Sequence, residues 1–150
     1  MSRTVNIKGI KITSIPALRN AVSELATARN IKCELVDNAK PRLWGGETGK
    51  TCEHVLRMPG RFDIGFSRQT DGTYDMVCDL HGGELGRMVG NTQTVKGANY
   101  DQMQVGFLAQ LYGKHRAIEV AMANGYPVSS VSVLPDGSIA VDANIMQMQA

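Results

Sequence analysis

The spacing of apolar residues predicts seven strands. Val5, Ile7 and Ile12 alternate with polar residues over Thr4 to Ile12, and a bulge is predicted near Gly9, where the alternation slips. Asp71-Gly72 is a strong hairpin signal between two such runs. The other predicted strands are 31–36, 53–58, 61–68, 73–80, 127–134 and 138–142.

Two stretches carry apolar residues at helical spacing. The first follows Thr13 or Ser14 as its N-cap and ends at Asn30. The second is predicted to run from about residue 100 to residue 124 and to stop at Gly125. Its inward face is predicted to carry Leu108, Leu111, His115, Ile118 and Met122. The glycine-rich stretch 81–99 before it is predicted to be a mobile loop or a pair of short turns.

The predicted order of elements is β-α-β-β-β-β-α-β-β. Hairpins dominate this order and helices are few, which indicates an α+β fold. We expect a two-layer sandwich, a mostly antiparallel sheet with two helices on one face. No repeat or linker divides the chain, so residues 1–150 are predicted to form a single domain with a flexible tail at about 144–150.

Composition narrows the class of protein. Hydrophobic residues make up 43% of the 150 residues and charged residues 20%, as in ordinary globular chains. A net charge of +2 is too small to indicate a nucleic-acid partner. No apolar run approaches the roughly 20 residues that span a bilayer. We therefore expect a cytoplasmic protein without a membrane partner.

The stretch WGGETGKT (44–51) ends like a phosphate-binding P-loop, but its spacing is wrong. Trp44 stands where the first glycine of the motif belongs. A P-loop also follows a buried strand and opens a helix, whereas a polar segment precedes this stretch and strand-like runs follow it. The sequence predicts a glycine-rich surface loop between strands.

This loop nevertheless carries candidate binding residues. Trp44 is the only tryptophan, and Arg42 and Lys50 flank it. An exposed tryptophan between cations is typical of a stacking platform for a base or a peptide. The alternative is that its ring folds back against the sheet edge. Arg57 and Arg61 could extend a basic patch with Arg42, or they could mark a solvated hairpin tip.

A second candidate group lies on the long helix. Tyr112 and Arg116 are one turn apart, and His115 lies beside them. Together they could bind an anion, with arginine supplying a bidentate contact. His115 could also serve as the acid or base of a small hydrolase. The alternative is a core histidine whose hydrogen bonds are satisfied.

Metal and carboxylate chemistry has weaker support. Two cysteines and two histidines are suitable zinc ligands in type, but their spacing does not match a structural zinc site. These residues are Cys52, His54, Cys78 and His81. We expect neither a metal nor a cofactor. Asp63 and Asp75 could form a hydrolytic carboxylate pair, but we expect them to be ordinary solvent-facing strand residues.

Several segments resemble one known family. They are DIGFSRQTDGTYDMV (63–77), LYGKHRAIEVAMANGY (111–126) and PDGSIAV (135–141), with the opening MSRTVNIKGIKI and RLWGGETGK before the first hairpin. They resemble the uncharacterised family of the chloroplast hypothetical reading frame thirty-five, found in plastids, cyanobacteria, other bacteria and phages. The resemblance implies a location in the host cytoplasm if the protein is phage-encoded. Residues 82–99 have no counterpart. The resemblance implies no established activity. It implies an accessory role to an AAA-type ATPase, which is often encoded near members of the family.

Three functions are compatible with these residues. The first is a non-enzymatic binding protein or adaptor that engages another protein through the Trp44 loop and the glycine-rich stretch. The second is a binding or sequestering protein for a phosphorylated small molecule, such as a nucleotide or cyclic nucleotide. The third is a hydrolase that uses His115. A homodimer formed through edge strands is also possible.

Overall fold

The computed structural model describes residues 2–91, 97–126, 128–133 and 139–143. The strands are β1 (Thr4–Ile12), β2 (Glu34–Ala39), β3 (Cys52–Arg57), β4 (Ile64–Arg68), β5 (Tyr74–Asp79), β6 (Val128–Val133) and β7 (Ile139–Ala143). The helices are α1 (Ile15–Arg29), α2 (Glu84–Val89), α3 (Tyr100–Gln104) and α4 (Gly106–Ala123), with a one-turn 3-10 helix at His81–Gly83. A strand is present at each of the seven predicted places, but β2 lies three residues later than the predicted 31–36. The predicted tail at 144–150 and the turn at 135–137 lie outside the described residues.

Five strands form an antiparallel sheet in the order β1-β5-β4-β3-β2. The α+β prediction is confirmed, and so are two local details. The hairpin between β4 and β5 turns at Gly72, whose φ of 86° favours glycine. In β1 the register slips between Ile7, opposite Met76, and Ile12, opposite Tyr74, which confirms the predicted bulge.

Helix α1 begins and ends at the predicted signals. The Ser14 side chain accepts a hydrogen bond from the N–H of Ala17, and Asn30 closes the helix in the left-handed conformation. One stripe of the helix is buried against the sheet. It consists of Ala17, Leu18, Ala21, Val22 and Leu25.

The second predicted helix is two helices, so the prediction of one continuous helix was wrong. Asn99 caps α3 and forms a capping box with Gln102. The backbone leaves the helical region at Val105, and α4 begins at Gly106. The predicted inward face is also partly wrong, because the Met122 side chain is 66% exposed.

The C-terminal end of α4 follows the prediction. Gly125 has a φ of 79°. Its N–H donates to the carbonyl of Met122, and the N–H of Tyr126 donates to that of Ala121. These two bonds form a Schellman motif, in which a left-handed glycine satisfies the last carbonyls of a helix.

The stretch 81–99, predicted to be a loop or a pair of short turns, contains the 3-10 helix and α2, which corrects that prediction. α2 follows two glycines with positive φ, Gly82 and Gly83. Leu85 and Val89 are buried one turn apart and attach this helix to the core. The many glycines obscured this short apolar spacing in the sequence. Strands β6 and β7 form a separate two-stranded sheet that contacts α4 and does not extend the main sheet.

The main core lies between one face of the sheet and the helices. Its largest fully buried members are Phe66, Ile7, Ile12, Leu18, Leu25, Leu56, Ile64, Met76, Leu85 and Leu108. The segment between β2 and β3 packs against β4 at Gly65. A Cβ atom there would lie 2.7 Å from the Cys52 sulfur and 2.9 Å from both Pro41 and Val77. This contact holds the Trp44 loop against the sheet.

Candidate binding surface

A buried carboxylate anchors the loop that carries Trp44. Asp63 lies just before β4 and is 0% exposed. It accepts hydrogen bonds from the backbone N–H groups of Arg42, at 2.9 Å, and Met58, at 3.0 Å. It also accepts from Nη2 of Arg42 at 2.7 Å and Nη1 of Arg57 at 2.8 Å. The expectation that Asp63 faces solvent was wrong, because two guanidinium groups and two backbone donors make its burial possible.

The charges of this anchor stabilise one another. Burial alone would raise the pKa of Asp63, but the hydrogen bonds from Arg42, from the backbone and from Arg57 hold that pKa below its ordinary value. The hydrogen bond to Asp63 likewise raises the pKa of Arg42, against the opposing effect of burial. Asp63 is therefore ionised at neutral pH and paired with both arginines.

The same two arginines also hold backbone carbonyl groups. Arg42 donates to the carbonyls of Gly60 at 2.7 Å and of Met58 at 2.5 Å. Arg57 donates to the carbonyl of Lys40 at 2.9 Å and to the Glu47 carboxylate at 3.0 Å. Both side chains therefore fix the loop to the turn between β3 and β4. Four hydrogen bonds from Arg42 and three from Arg57 are therefore made within the described part of the chain.

Trp44 lies at the tip of a tight turn. Leu43 and Gly46 exchange two backbone hydrogen bonds, of 2.8 and 2.9 Å, across Trp44 and Gly45. Gly45 has a φ of 85°, which is typical of the third position of a type II turn. The segment leads into strand β3 and not into a helix, which confirms that WGGETGKT is not a P-loop. Lys50 is exposed near the end of this segment.

The Trp44 ring is held by residues from two other segments. It stacks on Phe62, with ring centroids 6.5 Å apart, and meets the edge of His81 at 4.8 Å. The guanidinium carbon of Arg61 lies 5.6 Å from the Trp44 ring centroid. Glu84, in the first turn of α2, accepts from Nε of Arg61 at 2.7 Å. We call these five residues the Trp44 platform.

The platform combines the two alternatives considered for Trp44. One side of the ring packs against the body of the protein, yet the residue stays 41% exposed. The arginine below it is fixed by a carboxylate, so the ring has a defined position. Sequence reasoning missed Phe62, His81 and Glu84 as neighbours of Trp44. The only local signal in the sequence near His81 and Glu84 was the pair of glycines before α2.

The second predicted group fastens α4 to α1. The Tyr112 hydroxyl accepts from the backbone N–H groups of Thr13, at 2.8 Å, and Ser14, at 3.0 Å. Arg116 contacts Glu119, which also accepts from the Ser14 hydroxyl at 2.8 Å. These residues join the start of α1 to the middle of α4.

His115 also has a partner on α1. Its Nε2 lies 2.8 Å from the Glu24 carboxylate, to which Lys114 donates at 2.9 Å. Burial would raise the pKa of Glu24, but the hydrogen bonds from Lys114 and His115 lower it.

The structure thus attaches the two candidate groups to different elements. Arg42, Trp44, Arg57 and Arg61 lie close together, whereas Tyr112, His115 and Arg116 lie between α1 and α4.

The four residues considered as zinc ligands have other neighbours. His54 contacts Asp37 through Nδ1 at 2.8 Å, and His81 lies against Trp44. Cys78 is buried, and burial raises the pKa of its thiol to about 12. Among the residues that the structure describes, no three His, Cys, Asp or Glu side chains are arranged to hold a metal ion.

The chain is a small α+β protein whose exposed tryptophan is held by aromatic contacts and by an arginine that is paired with a carboxylate. None of the helices in the described ranges is long and apolar enough to cross a membrane. The chain belongs to the family described as a protein of unknown function (DUF1257), which matches residues 29–141. That range contains the whole Trp44 platform. No curated protein and no solved structure matches the chain.

Proposed function

We propose that this protein is a non-enzymatic binding protein, or adaptor, that engages another protein through the Trp44 platform. The observation that supports this proposal most strongly is the exposure of Trp44. Trp44 is 41% exposed although tryptophan has a large apolar side chain, and Phe62, His81 and Arg61 fix its orientation. Tryptophan and arginine are enriched at the few interface positions that dominate binding energy. A ring held in advance loses little entropy when a partner covers it.

The charges around the ring favour a protein partner over a small anion. Arg42 and Arg57 are paired with Asp63, and Arg61 is paired with Glu84. An anion at the platform would have to compete with these carboxylates. A protein surface, in contrast, can cover the ring and leave the ion pairs intact.

The partner to test first is an AAA-type ATPase. The resemblance to the chloroplast reading-frame family supports this choice, because its members are often encoded near such an ATPase. We propose that the platform docks this chain onto the ATPase as an accessory subunit.

Both alternative functions have less support at the predicted residues. A phosphorylated ligand bound by Arg42, Arg57 or Arg116 would displace an existing carboxylate partner. A hydrolase needs a base next to a nucleophile, whereas His115 contacts Glu24 beside Lys114.

The test compares the wild-type chain with Trp44→Ala in binding to a purified AAA-type ATPase from the same source, by biolayer interferometry. We expect Trp44→Ala to weaken binding at least about 30-fold, as for a hot-spot residue worth ~2 kcal/mol. Tyr126→Ala is the matched control, because Tyr126 is an aromatic residue of similar exposure, 38%, outside the platform. It should bind like the wild type.

Two results would count against the proposal. Equal binding by wild type and Trp44→Ala would remove the platform as the docking surface. No binding of the ATPase by the wild-type chain would remove that partner. A capture from a cell lysate would then decide whether any protein is retained by wild type and Tyr126→Ala but lost with Trp44→Ala.

A further inference from the structure

A cavity of about 640 Å³ opens where the end of α1 meets α2 and α3. This volume is within the range of pockets that hold small ligands and cofactors. Among the described residues, those that line it are Arg29, Gly83, Gly86, Arg87, Asn91, Tyr100 and Gln104. Two are cationic, one is aromatic, two carry side-chain amides, and none is a carboxylate.

The two arginines differ from most others in the chain. Six of the nine arginines form an ion pair with a carboxylate. Within the described ranges, Arg29, Arg68 and Arg87 form none, and two of these three line this cavity. Glu84, one turn from Arg87, is held by Arg61. Among the described residues, no carboxylate forms an ion pair with either arginine of this cavity, although Glu84 and Arg87 attract each other at longer range.

Backbone contacts fix both guanidinium groups. Arg29 donates to the carbonyls of Arg87, at 3.2 Å, and Gly90, at 3.0 Å, and its guanidinium carbon lies 4.1 Å from the Phe107 ring centroid. Arg87 donates through Nη1 to the carbonyl of Gly82 at 3.1 Å. Each guanidinium has five N–H groups, so donors remain for a ligand.

The two amide side chains are seated on glycines. A Cβ atom on Gly106 would lie 1.5 Å from Oδ1 of Asn91, and one on Gly86 would lie 2.0 Å from Oε1 of Gln104. Any larger residue at either glycine would displace the amide. Neither amide side chain forms a hydrogen bond within the part of the chain that the structure describes, so each retains donors and an acceptor.

Tyr100 adds an aromatic wall. It occupies the first position of α3 and is 60% exposed. The Arg3 guanidinium carbon lies 5.1 Å from the centroid of its ring, and Asp101 holds Arg3 at 2.9 Å. A tyrosine ring that is anchored but largely uncovered is a stacking surface for a planar group.

We propose that this cavity binds a nucleotide. The phosphate would contact Arg29 and Arg87, the base would stack on Tyr100, and the amides of Asn91 and Gln104 would contact the edge of the base. Asparagine and glutamine amides match the donor and acceptor on one edge of adenine, so an adenine nucleotide fits best. The site is separate from the Trp44 platform, and its test does not depend on the proposed protein partner.

Isothermal titration calorimetry of the full-length protein with AMP tests this assignment, with adenosine and inorganic phosphate as partial ligands. We expect AMP to bind at least about tenfold more tightly than either part. Arg87→Ala should weaken AMP binding about tenfold or more, since it removes a charge-assisted contact. Tyr100→Leu should weaken both AMP and adenosine. Arg68→Ala is the matched control because it removes an arginine without an ion pair outside the cavity, and it should bind AMP like the wild type.

Three results would overturn the proposal. The first is no heat with AMP at millimolar concentration. The second is AMP binding that Arg87→Ala and Tyr100→Leu both leave unchanged. The third is phosphate binding as tight as AMP binding, which would reduce the cavity to an anion site. Circular dichroism of each variant checks folding, and Arg87 and Tyr100 are both exposed, so their replacement leaves the core intact.

Discussion

The Asp63 anchor gives the sharpest prediction about stability. Asparagine has nearly the shape of aspartate but carries no charge and has one acceptor oxygen in place of two. In Asp63→Asn, the amide nitrogen would face donors that now contact a carboxylate oxygen, and Arg42 and Arg57 would lose their shared counter-ion. The backbone N–H groups that now donate to Asp63 would be left partly without an acceptor.

The magnitude follows from burial. Removing one partner of a buried ion pair costs ~3–5 kcal/mol. The Arg42 and Arg57 side chains are 34% and 29% exposed, so water recovers part of the loss. We therefore expect Asp63→Asn to lower the free energy of unfolding by about 3 kcal/mol at pH 7. Asp75→Asn, which removes a surface partner of Lys8 at 3.6 Å, should change it by less than about 1 kcal/mol.

The assay is urea unfolding followed by two signals. Circular dichroism at 222 nm reports the whole chain, and fluorescence reports Trp44, the only tryptophan. Because Asp63 fixes the loop that carries Trp44, we expect the fluorescence transition of Asp63→Asn to move to lower urea at least as far as the dichroism transition. A loss of less than about 1 kcal/mol would refute the reasoning, since it would equal the effect of an exposed pair.

The pH dependence supplies an independent check. The pKa of Asp63 is lower in the folded chain than the ~3.9 of an unfolded aspartate. Its contribution to stability is therefore present above that value and lost as pH falls through the folded pKa. The stability difference between wild type and Asp63→Asn should be constant near neutral pH and should shrink in acid. A difference that grows in acid would contradict this sign.

Three further predictions concern single contacts. Tyr112→Phe should lower the free energy of unfolding by ~2 kcal/mol, because two backbone N–H groups lose their acceptor. Tyr126→Phe should leave the free energy of unfolding unchanged, and equal urea midpoints for the two variants would disprove this. Gly65→Ala should lower the free energy of unfolding by ~1–3 kcal/mol, because the added Cβ atom would lie 2.7 Å from the Cys52 sulfur. A thermal midpoint at or above that of the wild type would contradict this. Cys33 is half-buried and should be the first cysteine to react with a thiol reagent. Burial raises the pKa of Cys78 to about 12, so Cys78 should react only after unfolding. Labelling of Cys78 in the native protein would exclude this.

Local signals in the sequence predicted the local structure well. The N-cap at Ser14, the stop at Asn30 and the Asp71-Gly72 turn act within a few residues of themselves, so their outcome does not depend on the rest of the fold. The break at Val105 is different. It lies between two helical stretches of ordinary composition, and it accompanies the seating of the Asn91 side chain on Gly106. That contact joins distant parts of the chain, so no local pattern indicates it.

Some residues of the candidate site could likewise be predicted from the local sequence, whereas the contacts of others depend on the fold. Trp44 and Arg61 were recognisable because an isolated tryptophan and nearby arginines are conspicuous in the sequence. The burial of Asp63 depends on Arg42, which is brought to it by the path of the loop between β2 and β3. The approach of His81 to Trp44 depends on the order of strands in the sheet. Residue type suggested the members of the platform, and topology decided which of them meet.

Helix α2 has only six residues, yet it contacts both proposed binding sites. Its first residue, Glu84, holds Arg61 beneath Trp44, and the carbonyls of Arg87 and Met88 near its end hold Arg29 in the proposed nucleotide cavity. A ligand that displaces this helix at one end therefore acts on the other end as well. Thermodynamic linkage then requires reciprocity: by whatever factor a nucleotide changes affinity for the protein partner, the partner changes affinity for the nucleotide.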